Sequence, residues 1–356
     1  MKAPFFTVLI DAYNYGQYVE EAVASALGQD FPQQEREILV VDDGSIDDTA
    51  ARLRRFGNAI RYLRKPNGGQ ASAFNYGFAH ARGEVVALLD ADDVWLPGKL
   101  ARVYEAFQRE SATGMVYHRL FWWDGANETN ADRCFTAVSG RVTESRRTLL
   151  QYPMASTSCL AFRRAMLDKL LPVPEMLRSQ ADAYLTALII FLAPVVALTD
   201  YLGKYRLHAT NLFQTEGKPF LRAQIELRMA MRAALLTEIE NWLQKNGLNT
   251  RSTELRAYLE QWRKAQELDS FALEAPGRWK YFRHLVGLPW TYGEIMTARH
   301  RVYSYMKAYA ALVLGYHHIH LFDDARRKRK EWMASSSEET GVAMPSKAKA
   351  AAATKS

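Results

Sequence analysis

Glu84-Val85-Val86-Ala87-Leu88-Leu89-Asp90-Ala91-Asp92-Asp93 is an apolar run that stops abruptly in three aspartates within four positions. The run predicts a buried strand. Its acidic end has no folding rationale, because crowded carboxylates repel one another and burying them unpaired is costly. A hard divalent cation, often shared with a substrate diphosphate, is the usual resolution. The plain alternative is a strand followed by an acidic turn. The crowding also predicts a strained and mobile loop when no ligand is bound. Asp93 stays open between a helix cap and a contact to substrate.

Upstream, the same pattern recurs. Thr7-Val8-Leu9-Ile10 reads as a strand that stops at Asp11-Ala12-Tyr13-Asn14, and a helix follows from Tyr18 to Leu27. Glu37-Ile38-Leu39-Val40-Val41 is a second strand stopping at Asp42-Asp43-Gly44-Ser45. Ser45 and Asp48 have capping-box spacing, and a helix runs from Thr49 to Phe56. Ile60 to Leu63 is a third strand, Asn67-Gly68-Gly69 a turn, and Gln70 to Ala81 a helix closed by Gly83 as its C′ residue. Another helix covers Lys99 to Arg109. Four alternations of strand and helix with short connections predict an α/β fold, with a mostly parallel sheet and helices on both faces. Ligands bind beyond the carboxyl ends of such strands. Three of the four strands end there in aspartate. The first turn carries no G-x-G-x-x-G and the chain no G-x-x-x-x-G-K-[ST], which argues against dinucleotide and P-loop chemistry.

Downstream, Met115 to Asp124 and Ser156 to Phe162 read as strands, Arg133 to Arg147 as irregular, and Thr148 to Tyr152 as a helix start. Asp182 opens an apolar stretch, Leu185 to Leu198, broken by Pro194. It is too short to span a bilayer and reads as a buried helix, then a strand. Leu202 to Leu207 is a last strand before His208 and Asn211.

In this order and spacing, five features resemble family 2 glycosyltransferases, which have the GT-A fold, a Rossmann-like α/β architecture. They are Ile10-Asp11-Ala12-Tyr13-Asn14, Val41-Asp42-Asp43-Gly44-Ser45, Asn67-Gly68-Gly69 with Asn75 and Gly77, Leu89-Asp90-Ala91-Asp92-Asp93, and Asp182 followed by Tyr205-Arg206-Leu207-His208. The resemblance covers Phe6 to Asn211. It implies an inverting transfer from a nucleotide-sugar, a UDP-sugar first, with Mg²⁺ or Mn²⁺ as cofactor. By resemblance, Tyr13 packs on the nucleotide base and Asp43 accepts a hydrogen bond from it. Asp11, Asn67 and Gly69 belong to the nucleotide-sugar site. Asp90 and Asp92 form the Asp-x-Asp motif, Asp92 contacts the metal, and His208 stands near metal and diphosphate. Asp182 matches the catalytic base. Three departures stand out: Ala181 replaces the usual Glu before the base, Asp11-Ala12 replaces Pro-Thr, and Gly69 stands where some members carry arginine.

The 356 residues are 48% hydrophobic, enough for a sizeable core. Cys134 and Cys159 make no disulfide framework, and Met1 to Phe6 lacks the features of a signal peptide, so a cytoplasmic setting is expected. The net charge of +7 collects toward the C-terminus and does not by itself imply nucleic acid, which is not expected as a partner. The expected division is a catalytic domain over 1–212, a helical region over 213–333 and a disordered tail over 334–356. In the middle part, Leu221 to Leu243 (ended by Gly247) and Leu255 to Leu268 form helices packed on themselves or on the catalytic domain. A third helix, within Thr297 to Phe322, precedes Arg326-Arg327-Lys328-Arg329-Lys330. It suits peripheral contact with an anionic membrane at its inner face, and equally a docked helix with a solvated basic end. The resemblance implies a glycan or lipid-linked acceptor. The rival readings are a nucleotidyltransferase and a catalytically degenerate GT-A module that binds a partner. Against the first, Asp11 to Tyr18 is not the Gly-rich, Arg/Lys-containing loop such enzymes carry.

Overall fold

The computed structural model describes residues 3–131, 135–144, 155–208 and 222–260, with Leu149, Asn211, a few positions between 262 and 287, and the helix Ala298–Leu314. The chain divides into two compact units, Met1–Leu273 and Glu274–Ser356. The expected helix start at Thr148–Tyr152 (Leu149 apart), the basic cluster at 326–330 and the tail lie outside the described residues.

Four strands come first: β1 (Phe6–Ala12), β2 (Arg36–Asp42), β3 (Arg61–Arg64) and β4 (Val85–Asp90). Four helices alternate with them or follow: α1 (Gly16–Leu27), α2 (Thr49–Arg54), α3 (Gln70–His80) and α4 (Lys99–Arg109), the short strand β5 (Val94–Trp95) preceding α4. Then come β6 (Met115–Trp123), β7 (Glu128–Asn130), β8 (Ala161–Arg163), α5 (Arg164–Leu167), α6 (Ala181–Ile189), β9 (Val195–Arg206) and α7 (Arg222–Lys245). The nine described strands join one sheet in the order β3-β2-β1-β4-β8-β6-β9-β5, with β7 on β6. β1 to β4 are mutually parallel, while β8 runs antiparallel to both β4 and β6. β9 is parallel to β6 and antiparallel to β5. The two expected strands from Val195 to Leu207 are thus one long bulged strand.

The period-2 patterning sorts side chains onto the two faces. Leu9, Leu39, Val41, Val86 and Leu88 meet Phe74 and Phe78 of α3, Leu185 and Leu188 of α6, and Leu235, Ile239 and Leu243 of α7. Val8, Ile10, Ile38, Val40, Val85 and Leu89 meet Val19 and Val23 of α1 and Leu100, Val103 and Phe107 of α4. Each such buried side chain stabilises the fold by roughly 2 kcal/mol. A helix over 253–260 packs on the first face, where Tyr258 donates to the Ala187 carbonyl at 2.9 Å. Within the first unit, α7 and the helix over 253–260 therefore pack on this face of the sheet.

β1 is the point where the strand order reverses, since the chain adds β2 and β3 on one side and returns to place β4 on the other. Crevices form at such points. The register sets Ala12 beside Asp42 and Asp11 beside Asp90, so the acidic strand ends meet there.

Two local expectations fail because a distant contact outcompetes the local one. No capping box forms: α2 starts after Asp48 without a side-chain cap, and Ser45 Oγ instead accepts from the Asn14 N–H at 3.0 Å. Gly83 is not a C′ residue, because α3 ends at His80 with Ala81 as cap. Gly83 N–H donates to Thr7 Oγ1 at 2.8 Å, and a Cβ there would stand 2.3 Å from the Thr7 nitrogen. Backbone cannot yield that much, so Gly83→Ala is expected to cost about 2 kcal/mol or more in chemical denaturation; an unchanged midpoint would mean that β1 and the β4 approach are less tightly seated than described.

Candidate active site

A cavity of about 830 Å³ opens beyond the ends of β1, β2 and β4. Eight of the nine expected site residues line it: Asp11, Tyr13, Asp43, Asn67, Gly69, Asp90, Asp92 and Asp182. The ninth, His208, stands behind Asp92, its Nε2 at 2.9 Å from Asp92 Oδ2.

At one end Tyr13 keeps 43% of its surface exposed, an open aromatic face. The loops after β1 and β2 hold each other reciprocally, since Ile46 N–H also donates to Asn14 Oδ1 at 2.9 Å. The Asp43 carboxylate is buried and organises the turn after β3. It accepts from Lys65 Nζ (2.6 Å), Asn67 Nδ2 (3.1 Å) and the N–H groups of Gly68 (3.0 Å) and Gly69 (2.7 Å). Gly69 has a φ of 87°, and a Cβ on it would lie 2.8 Å from Arg178 Cα. An arginine at 69 is therefore sterically shut out. Arg178 itself lines the cavity nearby and donates to Asn67 Oδ1 at 2.6 Å.

The acidic loop after β4 is tied down rather than strained. Among described non-glycine residues, left-handed φ values occur at Asn14 (57°) and Gln180 (67°), not between 90 and 93. Asp93 is neither cap nor cavity residue. Its oxygens accept from Ser158 Oγ (2.6 Å) and from the Arg206 N–H (2.9 Å). Arg206 also donates through Nε to the Asp92 carbonyl (2.7 Å) and through Nη2 to Glu21 (2.8 Å), its guanidinium lying over Tyr18 and Trp123. Lys99 is fully buried, donates to the Ser158 carbonyl at 2.8 Å and lies 3.4 Å from the Trp95 ring centre. Burial pushes its ammonium well below the usual lysine range.

Asp182 sits in the first turn of α6. Its Oδ2 accepts from Thr157 Oγ1 at 2.9 Å, and its Oδ1 from the Ala183 N–H at 2.8 Å. Gln70, the first residue of α3, links this turn to the Asn67–Gly69 turn. Its N–H donates to the Arg178 carbonyl (2.8 Å), and its Oε1 accepts from the Ala181 N–H (3.0 Å).

Burial raises the pKa of Asp11, to about 7, with Asp92, Asp182 and Asp43 adding repulsion. Burial raises Asp90 and Asp93 well above the carboxylate range, reinforced by the neighbouring aspartates, and it raises Asp182 as well. Asp11 Oδ1 is buried with no hydrogen-bond partner in the protein.

Residues 7–171 match the family model described as Glycosyl transferase family 2. These residues belong to glycosyltransferase family 2. An uncharacterized glycosyltransferase of Nostoc sp. (strain PCC 7120) is 38% identical over 214 residues, which are 58% of this chain and 65% of that protein. The chain thus spans just under two thirds of that relative. Among solved structures, S. aureus TarS in complex with UDP aligns over 91% of both chains, with TM-score 0.56 and 19% identity. A mannosyltransferase of Pyrobaculum calidifontis in complex with GDP-Man and Mn²⁺ aligns over 88% of both, with TM-score 0.50 and 18% identity. At these identities the likeness shows the shared GT-A fold.

Within that fold the donor set fits a hard cation. One oxygen each from Asp90, Asp92 and Asp93 lie within 4.8 Å of one another. Asp93 is already engaged by Ser158 and Arg206, which leaves Asp90 and Asp92 facing the cavity. Sequence reasoning passed over Lys65, Gln70, Thr157, Arg178 and Arg206. Of these only Arg206 carried a signal, inside the Tyr-Arg-x-His segment. It also passed over Trp122, Arg232 and Trp262, which line the cavity from β6, α7 and residue 262.

Proposed function

We propose that the protein is an inverting glycosyltransferase that moves a sugar from a nucleotide-sugar, a UDP-sugar first, to a hydroxyl of a glycan or lipid-linked acceptor in cell-surface polysaccharide or glycan synthesis. One observation carries this reading: Asp11, Asp43, Asp90, Asp92 and Asp182 converge on one cavity beside the open ring of Tyr13. A nucleotide base suits the aromatic face, and a diphosphate with a divalent ion suits the acids. The ligands of the two fold neighbours, UDP in one and GDP-Man with Mn²⁺ in the other, support that choice.

Asp90 and Asp92, with His208 behind them, would hold the Mg²⁺ or Mn²⁺, which when bound neutralises charge on the leaving diphosphate. The chain's own residues do the rest. Tyr13 and the Asn67–Gly69 turn, set by Asp43, seat the nucleotide. The acceptor oxygen attacks the anomeric carbon as the bond to the diphosphate breaks, and its proton passes to Asp182. A partly dry position with a raised pKa suits a general base. Thr157 donates to that carboxylate, which aims it and tempers the rise. The nucleotidyltransferase reading lacks support at the turn after β1, because Asp11 to Tyr18 is not a Gly-rich loop and carries no Arg or Lys. The binding-module reading rests on Ala181 alone. The module carrying this chemistry is proposed to end near residue 212, with α7 closing the cavity from the helical region.

Asp182→Asn should keep donor binding, measured by calorimetry with UDP-glucose and UDP-N-acetylglucosamine, and lower transfer by about a hundredfold or more. Near-wild-type transfer would remove Asp182 as base, and absence of any transfer or hydrolysis by the wild type would favour the binding module.

A secondary reading concerns location. No described helix is long and apolar enough to cross a membrane. The helix Ala298–Leu314 exposes Val302, Tyr305, Met306, Tyr309 and Val313, and the basic run at 326–330 follows in sequence. Peripheral contact with an anionic leaflet on the cytoplasmic side predicts co-sedimentation with phosphatidylserine vesicles that weakens with salt; failure to sediment at low salt would contradict it.

A further inference from the structure

Gln180 stands apart from every role assigned above. Its backbone is left-handed, with φ 67° and ψ 22°. Long unbranched side chains seldom adopt this conformation, and such residues persist only where the surroundings over-determine them. Here the surroundings are visible. Gln70 grips the chain on both sides of the residue, its N–H on the Arg178 carbonyl at 2.8 Å and its Oε1 on the Ala181 N–H at 3.0 Å. Two residues, Ser179 and Gln180, must bridge those fixed points, and Gln180 takes the turn.

The turn places Gln180 in the wall of the cavity, two residues before Asp182. Its Oε1 is buried and has no hydrogen-bond partner in the protein. A buried carbonyl oxygen left without a donor is costly, and native structures keep such groups where function uses them. The atom therefore asks for a donor that arrives with a ligand. The neighbouring groups already have partners. Asp182 is held by Thr157 and Ala183, and Asn67 by Arg178 and Asp43. A neutral O–H group fits, since the neighbouring Asp182 is the base proposed to take a proton from an O–H group.

We propose that Gln180 Oε1 accepts a hydrogen bond from a sugar hydroxyl of the reacting substrates, making Gln180 a substrate-recognition residue next to the base. This rests on the glycosyltransferase reading and adds a residue to it. The hydroxyl belongs either to the donor sugar or to the acceptor, and the two sources separate in the assay. A site built to bond a hydroxyl discriminates through the unpaired group it leaves behind when that bond is lost.

Two variants test the proposal. Gln180→Gly frees a strained backbone position and deletes the amide. Gln180→Met keeps the side-chain length and deletes only the polar end. Each is measured for melting temperature, for hydrolysis of UDP-glucose and UDP-N-acetylglucosamine with Mn²⁺ and water alone, and for transfer to p-nitrophenyl glycosides. Gln180→Gly should melt at or above the wild-type temperature, since glycine tolerates this φ. Both variants should lose roughly tenfold or more in kcat/KM. A loss shared by hydrolysis and transfer places the hydroxyl on the donor sugar, and a loss confined to transfer places it on the acceptor. Unchanged kcat/KM in Gln180→Met overturns the proposal, including where Gln180→Gly alone is impaired, because that pattern is loosened backbone. A wild type inactive in both assays would instead overturn the glycosyltransferase reading on which this one stands.

Discussion

Like charge in a confined space is the constraint on which the rest of this structure depends. Asp11, Asp43, Asp90, Asp92 and Asp182 face one cavity. Parallel pairing of β1 with β2 and β4 sets two of these carboxylates side by side, and the order reversal at β1 opens the crevice between them. Nothing local favours that arrangement. The apolar layers on both sheet faces hold it, with Leu9, Leu39 and Leu88 on one and Val8, Val40 and Leu89 on the other. Burial first, and then repulsion from neighbouring aspartates, raises Asp11 and Asp90, while burial raises Asp182.

Behind the acids lies a second ring that is cationic and donor-rich. Arg206 reaches Asp92, Asp93 and Glu21 from the end of β9, and Ser158 links Asp93 to the buried Lys99. Lys65 and the Asn67–Gly69 turn satisfy Asp43. These contacts fix Asp93 and Asp43 as scaffolding, while Asp90, Asp92 and Asp11 line the cavity. The division explains how one Asp-Ala-Asp-Asp loop is both ordered and reactive. Its last carboxylate is structural, and the earlier two face the cavity. Asp182 is fixed similarly, with Gln70 tying its turn to the Asn67–Gly69 turn. The proposed base and the turn proposed to seat the nucleotide thus share one side chain.

What was legible in the sequence follows from the range of the interactions. The strands through Asp90 were readable because period-2 apolar patterning and terminal aspartates are local signals, and α4 matched from Lys99 to Arg109 for the same reason. Convergence of the acids was readable because parallel strands share an edge. The failures are all long-range. Ser45 serves Asn14, 31 residues away, instead of capping its own helix. Gly83 answers to the Thr7 backbone rather than to α3. Arg206 reaches across 113 residues to Asp93, and Thr157 across 25 to Asp182. Gln180 is ordinary in sequence, and its left-handed turn exists only because Gln70 holds both flanks.

The central claim is that the cavity acids are held together against their own repulsion and need either protons or a divalent cation. Carboxyls whose folded-state pKa lies above the unfolded value bind more protons when folded, so stability falls as pH rises toward 7, the window between the ordinary carboxylate range and the raised value of Asp11. The melting temperature measured in EDTA should therefore rise as pH is lowered from about 7.5 to about 5.5. At the higher pH, Mn²⁺ should recover much of that difference, and the recovery should be absent in Asp92→Ala. A melting temperature indifferent to both pH and Mn²⁺ in the wild type would contradict the account.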